Sequence, residues 1–263
     1  MTEEQEKQAA ALEKLRSTHI HFATPCYNGT IYESCFNSYM RFTMVAMKNG
    51  INFSLDTMVN ESLIPRGRNN LVAKFLANKA ATHLMWIDAD IKWEPDHVFR
   101  MALYNAGVVC GLYPMKGIPV RYVLNALPNG QRHGSLMEVS TAGNGFMLIK
   151  REVIENLIAA MPETKYKDSL NLGSQYEPFM YALFDTMIDE HGYYLSEDWT
   201  FCKRVRDKLK VPIWVDTDIK LDHNGTYNFQ GDTDQIKKLA DEWQKLDSTV
   251  NQTQAYEKIE SND

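Results

Sequence analysis

Four short apolar runs, at His19 to Ala23, Ile51 to Leu55, His83 to Ile87 and Val108 to Leu112, are separated by stretches with the apolar spacing of helices. This alternation limits the fold more than any other feature, because consecutive strands joined through helices pair in parallel. Glu33 to Asn49 carries aromatic and Met residues at helical spacing. Pro65 opens a helix with Leu71, Phe75 and Leu76 on its apolar face, and Pro95 opens another that runs toward Tyr104. The expectation is an α/β single domain with a mixed, mainly parallel central sheet flanked by helices. Such sheets bind ligands at the carboxyl ends of their strands.

The second half of the chain is less regular. Strands are expected near Arg121 to Ala126, Met137 to Thr141, Phe146 to Ile149 and Ile213 to Val215, with Gly143 to Gly145 as a tight turn. Helices are expected over Glu152 to Ala160 and over Glu197 to Lys208, the latter begun by Ser196 as N-cap. The domain division places an N-terminal helical extension at 1–18, the main α/β domain at 19–229 and a C-terminal helix with a polar tail at 230–263. Within that tail, Gln235 to Leu246 reads as an amphipathic helix and Asp247 to Asp263 as loose chain.

With 44% apolar and 24% charged residues among 263, the chain has ordinary globular usage, which excludes disordered and fibrous classes. The net charge of -6 provides no general attraction to nucleic acid or an anionic membrane. Lys203 to Lys210 is locally basic and reads either as a phosphate-contacting face or as a solvated helix face. The four cysteines form no CxxC pair, the first residues are not signal-like, and no apolar run reaches the roughly 20 residues of a membrane span. A cytoplasmic protein is expected, in the host cytoplasm if the chain is viral.

The chemistry centres on Asp88 and Asp90, which follow a buried strand at a spacing of two. Carboxylates so placed repel unless a cation sits between them, and a hard divalent ion such as Mg²⁺ or Mn²⁺ takes carboxylates together with phosphate oxygens. Acids also close many strands as solvated loop residues. Arg66 and Arg68 stand in the first turn of a helix, where the dipole opposes cations, so an anionic ligand or surface salt bridges must account for them. Glu197 and Asp198 open a late helix, either as a catalytic pair or as acids favoured by the dipole.

Taken in order, Ala23 to Asn28, Ile64 to Asn69, Ile87 to Asp90, Gly143 to Met147, Ser196 to Asp198 and Asp222-His223 resemble the GT-A glycosyltransferases, especially cytoplasmic nucleotide-sugar enzymes of bacterial and phage or viral type. The resemblance runs from about Ile20 to Phe229 and implies a GT-A, Rossmann-like fold. It further implies that Asp88 and Asp90 hold the donor diphosphate through Mn²⁺ or Mg²⁺ with His223 completing the coordination; His223 otherwise reads as a loop histidine in the Asn224-Gly225 turn. Thr24, Pro25 and Asp56 fall where similar transferases hold base and ribose, with Tyr27 stacking on the base. Arg66, Arg68 and Asn69 join them at the donor, and Gly145 lets backbone approach the donor sugar or simply makes a hairpin turn. Asp198 is then the base of an inverting transfer and Glu197 its support.

The implied partners are a nucleoside-diphosphate sugar and an acceptor that is a glycan, a protein or a modified DNA base. Two other readings compete: a nucleotidyltransferase, which would need a glycine-rich basic loop that Asn28-Gly29 does not supply, and a nucleotide-sugar or carbohydrate-binding module without catalysis.

Overall fold

In the computed structural model, which describes residues 2–234, 236–238 and 241, the first half follows the expected alternation closely. Helix α1 (Glu3–Arg16) leads into β1 (His19–Pro25), α2 (Glu33–Asn49), β2 (Asn52–Met58), α3 (Ile64–Ala77), β3 (His83–Ile87), the two-residue β4 (Ile91–Lys92), α4 (Pro95–Leu103) and β5 (Val108–Leu112). The chain continues with β6 (Leu124–Ala126), β7 (Arg132–His133), β8 (Leu136–Ala142), β9 (Phe146–Lys150), α5 (Arg151–Ala160), β10 (Met187–Ile188), β11 (Tyr194–Leu195), α6 (Glu197–Arg204), β12 (Ile213–Lys220), β13 (Asp222–Asn224) and β14 (Asn228–Gln230).

The main sheet has the order β2-β1-β3-β9-β5-β12-β8-β6, with β7 added beside β8. β2, β1 and β3 run parallel, as do β5 and β12, while β9 and β8 run against their neighbours. All remaining strands of the sheet therefore point one way, which is the mixed, mainly parallel architecture anticipated.

Period-two alternation divides the core in two. Leu84 and Trp86 of β3, Met147 and Ile149 of β9, and Cys110 of β5 face α3, α5 and α6. Met85, Ile87, Phe146, Leu148 and Val109 face the opposite layer of α1, α2 and α4. Strands buried on both faces read as continuous apolar runs, which is why these were visible in the sequence. An aromatic cluster of Phe22, Tyr39, Phe42 and Trp93 fills the second layer, with ring centroids 4.8–5.9 Å apart.

The structure departs from the expectation in places that matter for the site. β2 continues past Leu55 to Met58, so Asp56 lies inside the strand. α6 stops at Arg204 and passes into a single π-helical turn over Val205–Leu209. Ser196 sits at the N-cap but makes no capping bond, because its hydroxyl turns to Asp198 instead. The three-stranded sheet β14-β13-β4 was not anticipated.

α1 is seated on the domain through buried Leu15 and a Lys14 Nζ bond to the Leu103 carbonyl at 2.7 Å. Packing against the sheet continues past Phe229: Thr233 is buried and donates to the Thr217 carbonyl. Most of the expected Gln235 to Leu246 helix, and all of Asp247 to Asp263, lie outside the described residues. No helix among those described is long and apolar enough to cross a membrane. All four cysteines are buried and free.

Candidate active site

The strand phase of β3 sets the site. Leu84 and Trp86 point to the α3 layer, and continuing that phase carries Asp88 to the same side at the carboxyl edge. Arg68, in the second turn of α3, lies there with its guanidinium 5.1 Å from the Trp86 ring centroid. Its Nη2 donates to Asp88 Oδ1 at 3.0 Å and its Nε to Glu197 Oε1 at 3.2 Å. Arg68 is 4% exposed, and its Nη1 has no hydrogen-bond partner. Burial opposes its charge, but Asp88 and Glu197 outweigh that and hold its pKa above the usual arginine value. The buried Nη1 is an unmet donor at the carboxyl end of the strands, and an anion that reached it would supply the missing acceptor.

Asp90 belongs to a second group. β4 follows it directly and pairs antiparallel with β13, with Ile91 opposite His223. The Asn224 N–H donates to the Asp90 carbonyl at 2.8 Å and locks this register. His223 Nδ1 lies 2.8 Å from the Pro114 carbonyl, which can only accept, so Nδ1 carries the proton and Nε2 faces Asp90 Oδ1 at 3.3 Å. Lys116 Nζ bonds the other Asp90 oxygen. Burial alone would raise the Asp90 pKa, but the bonds from His223 and Lys116 prevail and hold it below the ordinary value.

β9 runs against its neighbours, so the turn that enters it lies at this same edge, and the Asp88 N–H donates to the Gly145 carbonyl at 2.9 Å. Tyr113, buried just past β5, accepts from the Gly145 N–H at 3.1 Å. A Cβ on Gly145 would lie 2.7 Å from Tyr113 Cζ and 2.9 Å from Asp88 Oδ2. A Cβ on Gly143 would overlap the Tyr113 hydroxyl. Glycine is therefore required here by the Tyr113 ring and Asp88, independently of any role toward a donor.

Asp198 lies beside Glu197 in the first turn of α6. Its Oδ1 accepts from the Ser196 hydroxyl and from the Trp199 N–H, the latter at 2.8 Å, which leaves Oδ2 available. Burial pushes its carboxyl above the ordinary 3.8, with Glu197 adding to the rise against the Ser196 and Trp199 bonds. Burial also pushes Tyr113 well up, with Asp88 and Asp198 adding.

Arg68, Asp88, Gly145, Glu197 and Asp198 are thus brought into one neighbourhood, with Asp90 and His223 paired beside it. The remaining expected donor residues have other engagements. Arg66 forms a two-point bond to the buried Glu61 at 2.7 and 2.9 Å. Asn69 is buried, with its amide donating to the Phe184 carbonyl at 2.6 Å and accepting from the Phe184 N–H at 2.9 Å. Asp56 points to Lys74 at 3.2 Å and to His21 at 3.5 Å, on the α3 face of the sheet. Thr24 is buried against the Tyr39 hydroxyl at 2.6 Å, Pro25 closes β1, and Tyr27 stands 57% exposed beyond it. In the basic stretch, Lys203 pairs with Glu190 and Asp207, and Arg204 bonds the Ala182 and Leu183 carbonyls.

Tyr113 and Lys116 were not anticipated. Tyr113 continues an apolar strand and reads as core, and Lys116 sits in a loop whose path no local pattern reveals.

The donor chemistry for a divalent ion fits in part. Asp90 and His223 make an oxygen and imidazole pair, and with Nδ1 held by the Pro114 carbonyl, His223 would present Nε2 to an ion in exchange for its contact with Asp90. Asp88, expected as a third ligand, has Oδ1 bonded to Arg68, and no group of three His, Cys, Asp or Glu among the described residues is gathered for a metal.

No family model matches the chain, and no curated protein matches it either. Among solved structures, A197 from STIV is similar over 79% of this chain and 86% of its own, with 18% identity and a TM-score of 0.47. HddC from Yersinia pseudotuberculosis, complexed with GMP-PN, is similar over 53% of this chain and 79% of its own, with 12% identity and a TM-score of 0.31. A glycosyltransferase involved in the glycosylation of the major capsid of PBCV-1 is similar over 75% of this chain and 91% of its own, with 11% identity and a TM-score of 0.31.

Proposed function

We propose that the protein is a glycosyltransferase that moves a sugar from a nucleoside-diphosphate donor to an acceptor hydroxyl with inversion at the anomeric carbon. The observation that carries this reading is Arg68, buried between Asp88 and Glu197 with one guanidinium nitrogen unpartnered, where Glu197 is next in sequence to Asp198, whose carboxyl is pushed above its ordinary pKa by burial. An anion receptor beside a candidate general base is what displacement of a diphosphate by a hydroxyl requires.

Arg68 Nη1 binds a diphosphate oxygen and stabilises the charge that grows on the leaving group. Asp198 Oδ2 accepts the acceptor hydroxyl proton as the new C–O bond forms and the anomeric carbon–phosphate oxygen bond breaks, with its electron pair leaving on the nucleoside diphosphate. Ser196 and Trp199 hold Oδ1 and so fix the direction of Oδ2. Mn²⁺ or Mg²⁺, held by Asp90 and His223, would supply further neutralisation of the diphosphate.

Calorimetric titration of UDP and GDP, with Mn²⁺ and then with excess chelator, tests the donor half. One nucleotide should bind and weaken on chelation, and incubation with the matching nucleotide sugar should release nucleoside diphosphate. Release of pyrophosphate from a sugar phosphate and a nucleoside triphosphate would indicate nucleotidyl transfer instead. Binding without turnover, with saccharides supplied, would leave only a binding module.

A further inference from the structure

An open cleft of about 600 Å³ lies between α6 and the end of the sheet formed by β6 and β8. Its outer wall is the hairpin of β10 and β11, where Tyr193 and Tyr194 stand 69% and 70% exposed. Their exposure does not come from a slack loop. The Asp189 carboxylate accepts from the N–H groups of His191 and Tyr193 at 3.0 and 2.8 Å, and Gly192 takes the positive φ that closes the turn. Glu190 is tied to Lys203 of α6 at 2.9 Å, so the hairpin is fastened to the helix that carries Asp198. The backbone that carries the two rings is therefore ordered before a ligand arrives, which lowers the ordering cost of binding on them.

On the opposite wall Trp199 lines the cleft, next in sequence to Asp198, which lies behind it outside the lining, and Asn125 and Thr141 add an amide and a hydroxyl that bond each other at 2.8 Å. Aromatic rings beside neutral hydrogen-bonding groups suit a pyranose, whose C–H faces pack on the rings while its hydroxyls pair with the polar groups. A phosphate-bearing chain suits this cleft poorly, because Asp189, Glu190 and Asp207 line it against the cations Lys203 and Arg206.

We infer that this cleft is a saccharide subsite that seats the acceptor, with Tyr193, Tyr194 and Trp199 as its apolar surface, and presents a hydroxyl toward Asp198. The acceptor is then a glycan rather than a DNA base. This rests on the transferase reading above and names the substrate of that same site.

The test is saturation-transfer NMR and tryptophan fluorescence on the full chain with glucose, galactose, mannose, N-acetylglucosamine and cellobiose at millimolar concentration, in parallel with UDP and GDP titrations. At least one sugar should bind, and the double variant Tyr193→Ala/Tyr194→Ala should weaken it roughly tenfold or more while nucleotide affinity is unchanged. Both tyrosines face solvent, so the variant keeps its fold, which circular dichroism verifies. No bound sugar, or unchanged sugar affinity in a folded variant, overturns the assignment even if nucleotides bind. Sugar binding that the variant loses, in a protein that binds neither nucleotide, would keep the saccharide site and reject the transferase reading.

Discussion

Replacing Arg68 with Met should be among the most damaging single changes in the chain. The guanidinium is 4% exposed and stands 3.0 Å from Asp88 and 3.2 Å from Glu197, whose side chains are themselves 29% and 16% exposed. Met retains most of the packing volume but leaves two carboxylates facing each other in a desolvated space. Removing one partner from a buried ion pair costs about 3–5 kcal/mol, because the charge left behind has lost its compensation. The Met variant no longer has to desolvate a guanidinium, so the lower part of that range, about 3 kcal/mol, is expected. Urea unfolding at neutral pH should show this as a lower midpoint with an unchanged slope. Adding Asp88→Asn removes one of the stranded charges, so Arg68→Met/Asp88→Asn should be more stable than Arg68→Met alone. Arg68→Lys keeps a charge but not the fork that reaches both acids, and should fall between Met and the native residue. A loss below about 1 kcal/mol for Arg68→Met, or a double variant no more stable than the single, would refute the claim that these charges form one buried unit.

Asp198→Asn should lower turnover by roughly 10²–10⁴ with donor affinity kept, and the product should have inverted configuration by NMR; a near-normal rate would remove Asp198 as the base. The native rate should fall as pH drops through a pKa above 3.8, since a raised carboxyl protonates earlier, and Asp198→Asn should lack this limb. A group whose folded pKa is raised contributes stability that is lost as pH rises through that pKa, so Asp198→Asn should match or exceed native stability at neutral pH in urea unfolding. Gly145→Ala should cost about 1–3 kcal/mol and reduce nucleotide binding, because the new Cβ meets Tyr113 and Asp88 at 2.7 and 2.9 Å; a crystal structure with both groups unmoved would count against it.

Legibility in the sequence tracked burial and range. β3 and β5 were visible because strands buried on both faces become unbroken apolar runs, and the acids closing β3 marked its end. α6 was visible by its start but not its end, since the π turn continues a helical pattern. Asp88 was recognised as a site residue, yet its partner was not. The tie between Arg68 and Glu197 spans 129 positions, and no local spacing encodes it. Asn69 looked like Arg68 in sequence because both were read as first-turn residues of α3, but both fall in the second turn, where the helix phase turns Asn69 to the Phe184 backbone. His223 was read from a resemblance or as a loop residue, because the three residues of β13 are too few to show any period.

The distance along the chain between the members of the site also governs when it can exist during synthesis. At about 5–20 residues per second, Arg68 leaves the ribosome on the order of 10 s before Glu197, its second partner. Asp90 waits as long for Asn224, which is 134 positions away. Through that interval β1, β2 and β3 can already associate, while the pocket of charges at their ends stays open to water. A site assembled in this order is incomplete until the last strands are made, so a chain released early at the ribosome would fold in part yet lack the pairing of Arg68 with Glu197 and of Asp90 with Asn224.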